Sequence, residues 1–245
     1  MPTIIDKSVL ITGANRGIGR ALVEEALQQG AKRVYAGTRQ PLAHRDARVT
    51  PVPLDVTDPA HLRRAVEHID SLDLLVNNAA AGSYDDLGDR AEIEKVMAVN
   101  LYGTHAVTRA FLPTLLKSRG AIVNILSLAA IAPVPVTPAY SISKAATLSL
   151  SIAQRMLLRE QGVTVHIVFP GPVDTDMSRD IDVPKATPEA VARAILTGVA
   201  NGDEEIFPDP MSEAIAQTWQ SGVTKQLEPQ FAELLTESPR VAEAR

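Results

Sequence analysis

Short apolar runs alternate along the chain with longer stretches in which apolar positions return at helical spacing. The short runs are Ser8–Ile11, Arg33–Gly37, Val49–Leu54, Leu72–Val76, Ala121–Leu126, Val163–Phe169 and, last, Glu205–Phe207. Runs of this kind read as strands buried on both faces of a parallel sheet. Helical patterns fill the gaps. One covers Arg20 to Gln29, with Ile18, Leu22 and Ala26 on one side, and another opens at Thr57-Asp58-Pro59 with proline in its first turn. A long one runs from about Ala91 to Lys117, and the next opens at Thr137 or Pro138 and ends near Glu160. Two more start at Thr187-Pro188-Glu189 and at Met211, ending near Ala200 and Leu235. With no repeat and no linker, this predicts a single α/β domain over 1–245, a doubly wound parallel sheet of about seven strands with helices on both faces. Residues 176–187 carry no clear period and are expected to form a small lid.

Two helical patterns, 101–117 and 139–158, are apolar or small nearly all round: Leu101, Ala106, Val107, Phe111 and Leu115 in one, Ile142, Leu148, Leu150, Ile152 and Leu157 in the other. A helix that only flanks a sheet has a polar outer face. These predict burial against another subunit, hence a homodimer or homotetramer.

Composition narrows the function classes. A net charge of −5 argues against nucleic acid, which needs a basic surface. No apolar run is long enough for a membrane span, Asp6 interrupts any signal-like start, and the chain has no cysteine. A cytoplasmic enzyme is the expectation, with no membrane partner. The histidines are scattered without metal-ligand spacing, so no metal site is expected.

Candidate chemistry concentrates at the strand ends. Thr12–Gly19, TGANRGIG, joins the first strand to the first helix and places Gly13, Gly17 and Gly19 where backbone N–H groups meet a phosphate. The second strand ends at Thr38-Arg39 with no acidic residue. An arginine at that place favours NADP over NAD, and Arg16 could reach the same phosphate. Asn77-Asn78-Ala79 end the fourth strand. Asn100 falls on the core-facing stripe of its helix, where it needs partners. Tyr140 and Lys144 lie one helical turn apart on one face, and the loop through Pro133, Pro135 and Pro138 could return Ser127 to them. A hydroxyl, a phenol and an ammonium at one point make a proton-transfer site. Ser141 and Ser143 lie further round the helix and suit the hydroxyl role less well.

Taken together, these motifs resemble the short-chain dehydrogenase/reductase family over nearly the whole chain. TGANRGIG resembles its coenzyme loop, Asn77-Asn78-Ala79 its NNAG, and Pro170-Gly171-Pro172-Val173-Asp174-Thr175 its PG motif. Asn100, Ser127, Tyr140 and Lys144 match its catalytic tetrad in order and spacing. The resemblance implies a Rossmann-type sheet and NAD(P)-linked alcohol–carbonyl interconversion, as a carbonyl reductase or alcohol dehydrogenase. It implies coenzyme contacts from Gly13, Asn15, Arg16, Gly17, Ile18, Gly19, Arg39, Asn78, Ala79, Tyr140, Lys144, Pro170, Gly171 and Val173. Asp55 and Val56 would hold the adenine, and Thr175 the nicotinamide carboxamide. Ala80 replaces the family's glycine, which reshapes the pocket beside Ala81 and Gly82.

In that reading NADP(H) supplies hydride, Tyr140 the proton, and Ser127 a hydrogen bond to the substrate oxygen. Lys144 holds the ribose and lowers the phenol's pKa, and Asn100 holds a relay water. The apolar walls Ala80, Ala81, Leu128, Ala129, Val134, Val136, Pro172, Val173, Met177 and Ile181 suit a small neutral ketone, aldehyde or alcohol. The competing readings are an NAD-dependent secondary-alcohol or hydroxysteroid dehydrogenase and a catalytically idle NADPH-binding regulator, which would have no need of Ser127, Tyr140 and Lys144 together.

Overall fold

The computed structural model describes residues 4–40, 42–180 and 182–237. Seven strands form one sheet, every neighbouring pair parallel: β1 (Ser8–Thr12), β2 (Arg33–Thr38), β3 (Val49–Pro53), β4 (Leu74–Asn77), β5 (Ala121–Ile125), β6 (Thr164–Val168) and β7 (Glu205–Ile206). Their order is β3-β2-β1-β4-β5-β6-β7. The chain leaves the middle at β1, fills one side through β3, then returns to fill the other from β4. A crevice therefore opens between the C-terminal ends of β1 and β4, the switch point where such sheets take ligands. Pro51 and Pro53 fall on the edge strand β3, where a missing N–H costs no ladder bond.

Helices cover both faces: α1 (Gly17–Gln28), α2 (Pro59–His68), α3 (Arg90–Met97), α4 (Thr104–Ser118), α5 (Pro138–Leu158), α6 (Pro188–Asn201), α7 (Pro210–Gln220) and α8 (Val223–Glu237). Alternation along the strands sorts the core. Val9, Ile11, Val76 and Val123 pack with Leu22, Ala26 and Ile195 of α1 and α6, while Leu10, Leu75 and Ile122 pack with Phe111 and Leu115 of α4. None of the described helices is long and apolar enough to cross a membrane.

Several elements differ from the sequence expectation. The single helix expected over 91–117 is α3 and α4 joined by π-helical Ala98–Gly103, a wide turn that carries Asn100. The expected terminal helix is two, α7 and α8, broken at Ser221-Gly222. Residues 176–187 are not structureless. Asp176–Ser178 form a 3-10 turn, and backbone bonds from Asp174 N to Ala186 O (2.8 Å) and from Ala186 N to Pro172 O (3.0 Å) tie the lid's return to the sheet end.

Contrary to the sequence expectation, helix α5 is not apolar nearly all round. It turns a polar stripe inward: Ser141, Ser143, Lys144, Thr147, Ser151, Gln154 and Arg155 are buried, whereas Ile142 and Leu157 are exposed. Arg155 is matched by acids from the end of the chain, with Nε and Nη2 each 2.7 Å from the Glu228 carboxylate and Nη2 also 2.7 Å from Glu205. Lys225 joins at 2.9 Å from Glu204 and 3.1 Å from Glu205. Helix α8 thus covers part of α5 within the same chain. The outer face of α4 is not wholly apolar either, since His105, Arg109 and Lys117 are exposed at four- and eight-residue spacing.

Candidate active site

The crevice is built by hydrogen bonds between strand ends. Thr12 Oγ1 accepts from the backbone N–H groups of Asn78 and Ala79 (3.0 Å each), and Asn78 Nδ2 donates back to the carbonyls of Thr12 (2.9 Å) and Gly13 (3.2 Å). These bonds hold the glycine loop against the end of β4. Helix α1 packs closely on that loop. A Cβ on Gly19 would stand 2.2 Å from the Gly13 carbonyl oxygen, which excludes any side chain there. Gly13 and Gly17 both have positive φ (67° and 52°), so the loop turns as only glycine does without strain. Arg16, at the N-cap of α1, makes no side-chain cap, and the first turn contains no acidic residue. The opening N–H groups of α1 therefore meet no capping side chain, as an anion site at a helix N-terminus requires.

At the end of β2, Arg39 is exposed and its charge reaches Asp55. Burial works to raise the Asp55 pKa, but hydrogen bonds from the Thr57 N–H (2.9 Å) and hydroxyl (2.7 Å), with the charges of Arg39 and His61, outweigh it and hold the carboxyl below its ordinary value. Val56 lies against the π-helical turn. A Cβ on Gly103 would come within 2.6 Å of its Cγ2. Arg16 is engaged elsewhere, its Nη1 lying 3.2 Å from Asp176 in the lid, as an exposed pair. Of the two arginines expected at one phosphate, Arg39 stands ready and Arg16 would first have to leave Asp176.

Ser127, Tyr140 and Lys144 do converge. Ser127 ends the strand side as the N-cap of a 3-10 turn, Leu128–Ala130, where its Oγ accepts from Ala129 N at 3.1 Å, and it also hydrogen-bonds the Tyr140 phenol. Lys144 Nζ lies 5.5 Å from the centroid of the Tyr140 ring and donates to the carbonyl of Ile125 at 2.8 Å. Ser141 and Ser143 have other tasks. Ser141 Oγ accepts from Val134 N (3.0 Å) and donates to Thr137 O (3.1 Å), while Ser143 Oγ donates to Tyr140 O (2.6 Å). Ser127 is the serine that meets the phenol.

The electrostatics correct one expectation. The lysine does not pull the phenol's pKa down here. Burial pushes Tyr140 up to about 12 against the opposing effect of the Ser127 hydrogen bond, and burial pushes Lys144 down to about 8. The phenol keeps its proton at neutral pH, although part of Tyr140's surface is open to the cleft.

Asn100 is 1% exposed and clamps the backbone of Ala81 on both sides, accepting from its N–H and donating to its C=O at 2.8 Å each. The second amide hydrogen goes to Ser143 Oγ, also at 2.8 Å. Both donors are committed to positioning the segment after β4 and helix α5, so neither is spare for a relay water.

The expected walls divide. Ala80, Ala81, Leu128 and Pro172 are half-buried, and Val134, Val136 and Met177 are exposed. Ala129 and Val173 are each 5% exposed, and Val173 belongs to the core packing, so neither offers a free apolar surface. Ile181 lies outside the described residues. In the PG motif, Thr175 touches the glycine loop, its Cγ2 lying 3.1 Å from where a Gly17 Cβ would be. Pro170 is buried and Asn15 and Ile18 border the loop, Asn15 exposed and Ile18 packed on the core.

Two supports escaped the motif reading. Asp209, at the start of α7, is 6% exposed, and its Oδ2 accepts from Gly171 N at 2.7 Å. It therefore holds the PG turn from 38 residues downstream. Gly82 lies against the Tyr140 ring, where an added Cβ would stand 3.0 Å from Cδ2. Neither carries a local signal, beyond the capping Asp209-Pro210 pair that reads as a helix start.

Comparison with known proteins agrees with this arrangement. Residues 7–185 match the family model for short chain dehydrogenases. The chain is 31% identical over 242 residues to the ketoacyl reductase HetN of Nostoc sp., covering 89% of this chain and 84% of that protein. It is 33% identical over 209 residues to the uncharacterized oxidoreductase YbbO of Escherichia coli K12, covering 79% and 77%. A short chain dehydrogenase from Burkholderia cenocepacia J2315, crystallised in complex with NADP, superposes with a TM-score of 0.85 at 34% identity, over 94% of this chain and 98% of that one. The chain belongs to the short-chain dehydrogenase family of oxidoreductases.

Proposed function

We propose that the protein is an NADP(H)-dependent reductase that interconverts a neutral ketone or aldehyde and its alcohol. The observation that carries this reading is the meeting of the Ser127 hydroxyl, the Tyr140 phenol and the buried Lys144 ammonium. The open first turn of α1 and the paired strand ends of β1 and β4 fit a dinucleotide pyrophosphate, and Arg39 without a neighbouring acid at its strand end fits a 2′-phosphate. The NADP bound to the Burkholderia relative supports the same choice. The nicotinamide, when bound, supplies the hydride at carbon.

The chain's own residues do the rest. Ser127 donates a hydrogen bond to the carbonyl oxygen and aligns it with Tyr140. Tyr140 delivers its proton to that oxygen as hydride reaches the carbon, and its high resting pKa keeps the acid loaded at neutral pH. Ile125 O takes one of the three donors on Lys144, which leaves two for the ribose hydroxyls. The ammonium next to the phenol stabilises the negative charge that builds on its oxygen as the proton departs. The half-buried small residues at the inner wall and the exposed Val134, Val136 and Met177 suit an uncharged substrate. The chain is further proposed to form a homodimer through the exposed apolar side of α5, Ile142 and Leu157 with Tyr102 beside it.

Tyr140→Phe is expected to lower kcat by about 10²-fold or more while NADPH affinity, read by fluorescence, changes little; retention of most turnover would remove Tyr140 from the proton-donor role. Reduction at saturating NADPH is expected to slow as pH rises through about 8, the pH at which Lys144 loses its charge. Lys144→Arg should abolish that alkaline limb even though its maximum rate is lower, and a limb left in place would assign it to another group. Arg39→Asp is expected to reverse coenzyme preference toward NAD(H) by about tenfold or more in kcat/KM, a direction steady-state kinetics with both coenzymes will confirm or refute. Light scattering at micromolar concentration is expected to return twice the chain mass, and a monomer there would count against the α5 interface.

A further inference from the structure

The segment that follows β4, residues 81–85, is fastened to the catalytic helix at three places around Tyr140. Asn100 clamps Ala81 and, through Ser143, reaches the carbonyl of Tyr140. Gly82 lies against the Cδ2 side of the Tyr140 ring. Asp85 completes the set, its carboxylate oxygens accepting from the backbone N–H of Ala139 at 3.2 and 3.3 Å while its own N–H donates to Val136 O at 3.3 Å. Ala139 is the second residue of α5 and immediately precedes the tyrosine. Thr137, which occupies the N-cap of that helix, makes no side-chain cap. A helix with its own cap missing has an unpaired donor in the first turn, and a carboxylate there also complements the positive end of the helix. We propose that Asp85 caps the Tyr140 helix in trans and is a positioning residue for the phenol, with Gly82 as the flat surface that sets the ring's depth.

The inference rests on Tyr140 acting as proton donor, and its physical basis is geometric. The chain folds back from 85 to 139, so a single carboxylate couples the strand end that borders the coenzyme crevice to the first turn of the catalytic helix. Small errors in the placement of a proton donor are costly, because reaction falls steeply with misalignment. An alanine at 85 leaves the Ala139 N–H without its partner and frees the helix start. Asparagine retains an acceptor oxygen and loses only the charge. A methyl at 82 presses on the ring itself.

The test uses three variants of the full chain. Asp85→Ala is expected to reduce kcat for carbonyl reduction about tenfold with NADPH affinity and KM for NADPH within about twofold, Asp85→Asn to recover most of that loss, and Gly82→Ala to fall with Asp85→Ala. Amide hydrogen exchange at Ala139, followed by NMR in the absence of any substrate, is expected to quicken in Asp85→Ala and not in Asp85→Asn. Unchanged kcat in Asp85→Ala, an asparagine variant as poor as alanine, or NADPH affinity falling in step with kcat would each overturn the proposal. The exchange measurement separates this from the chemical reading. Loss of protection at Ala139 with turnover intact would keep the cap but defeat its catalytic role, whereas activity retained in Tyr140→Phe would defeat the proton-donor assignment and leave the cap standing.

Discussion

A buried ammonium has to be solvated by the protein or lose its proton, and much of this molecule is arranged around that requirement. Lys144 is 4% exposed and donates to the main-chain carbonyl of Ile125 at the end of β5. A carbonyl at a strand end is free to accept because the strand stops pairing there. The partial charge it offers keeps the amine held without neutralising it, whereas a carboxylate would have raised its pKa and fixed it in a salt bridge. The burial that shifts Lys144 also raises Tyr140, so the two ionisable groups of the site are set apart by their surroundings, the phenol protonated and the lysine near its transition.

That requirement explains the inverted α5. A helix that delivers a lysine and a tyrosine to the interior must also deliver the hydroxyls beside them, and those need partners. Asn124 on β5 donates to Ser151 Oγ (2.9 Å) and Gln154 Oε1 (3.2 Å), and accepts from Asn77, which also donates to Thr108. The chain of amides spans β4, β5, α4 and α5 and fixes their spacing to within a hydrogen bond. Further along α5, Arg155 continues the polar stripe and is answered by Glu205 and Glu228. Leu148 and Ile152 pack on the core beside this stripe, whereas Ile142 and Leu157 are left facing outward.

The alternation of strands and helices was legible in the sequence because the central strands β1, β4 and β5 are short, mostly apolar runs buried along their whole length. The convergence of Ser127, Tyr140 and Lys144 was legible because helical spacing and a strand end can be read from residue order alone. What stayed hidden has physical reasons. The π-helical turn around Asn100 inserts no apolar irregularity, so the period through Val96, Asn100 and Thr104 continues while the backbone bonding shifts by a residue. The polar stripe of α5 would ordinarily be assigned to solvent, and only the tertiary contacts of Asn100, Asn124 and the terminal acids reverse it. The lid's ladder between Val173 and Ala186 is made by backbone groups, which every sequence possesses. Arg16 was expected at a phosphate, but its long side chain reaches Asp176 when no anion competes.

Asp209 ties Gly171 to the start of α7, and β7 with α8 supplies the acids for Arg155. Protein synthesis delivers these pieces after the residues they complete. A nascent chain that has emerged through Gly171 carries the glycine loop and α5, but its Gly171 N–H has no partner and its Arg155 has no counter-charge. The aromatic stack of Phe169 on Phe207 and Trp219, with centroids 5.2 and 5.0 Å away, is open at the same stage. The end of the sheet is thus completed only when the chain through α8 has left the ribosome, and until then the half-built sheet edge needs protection from neighbouring chains.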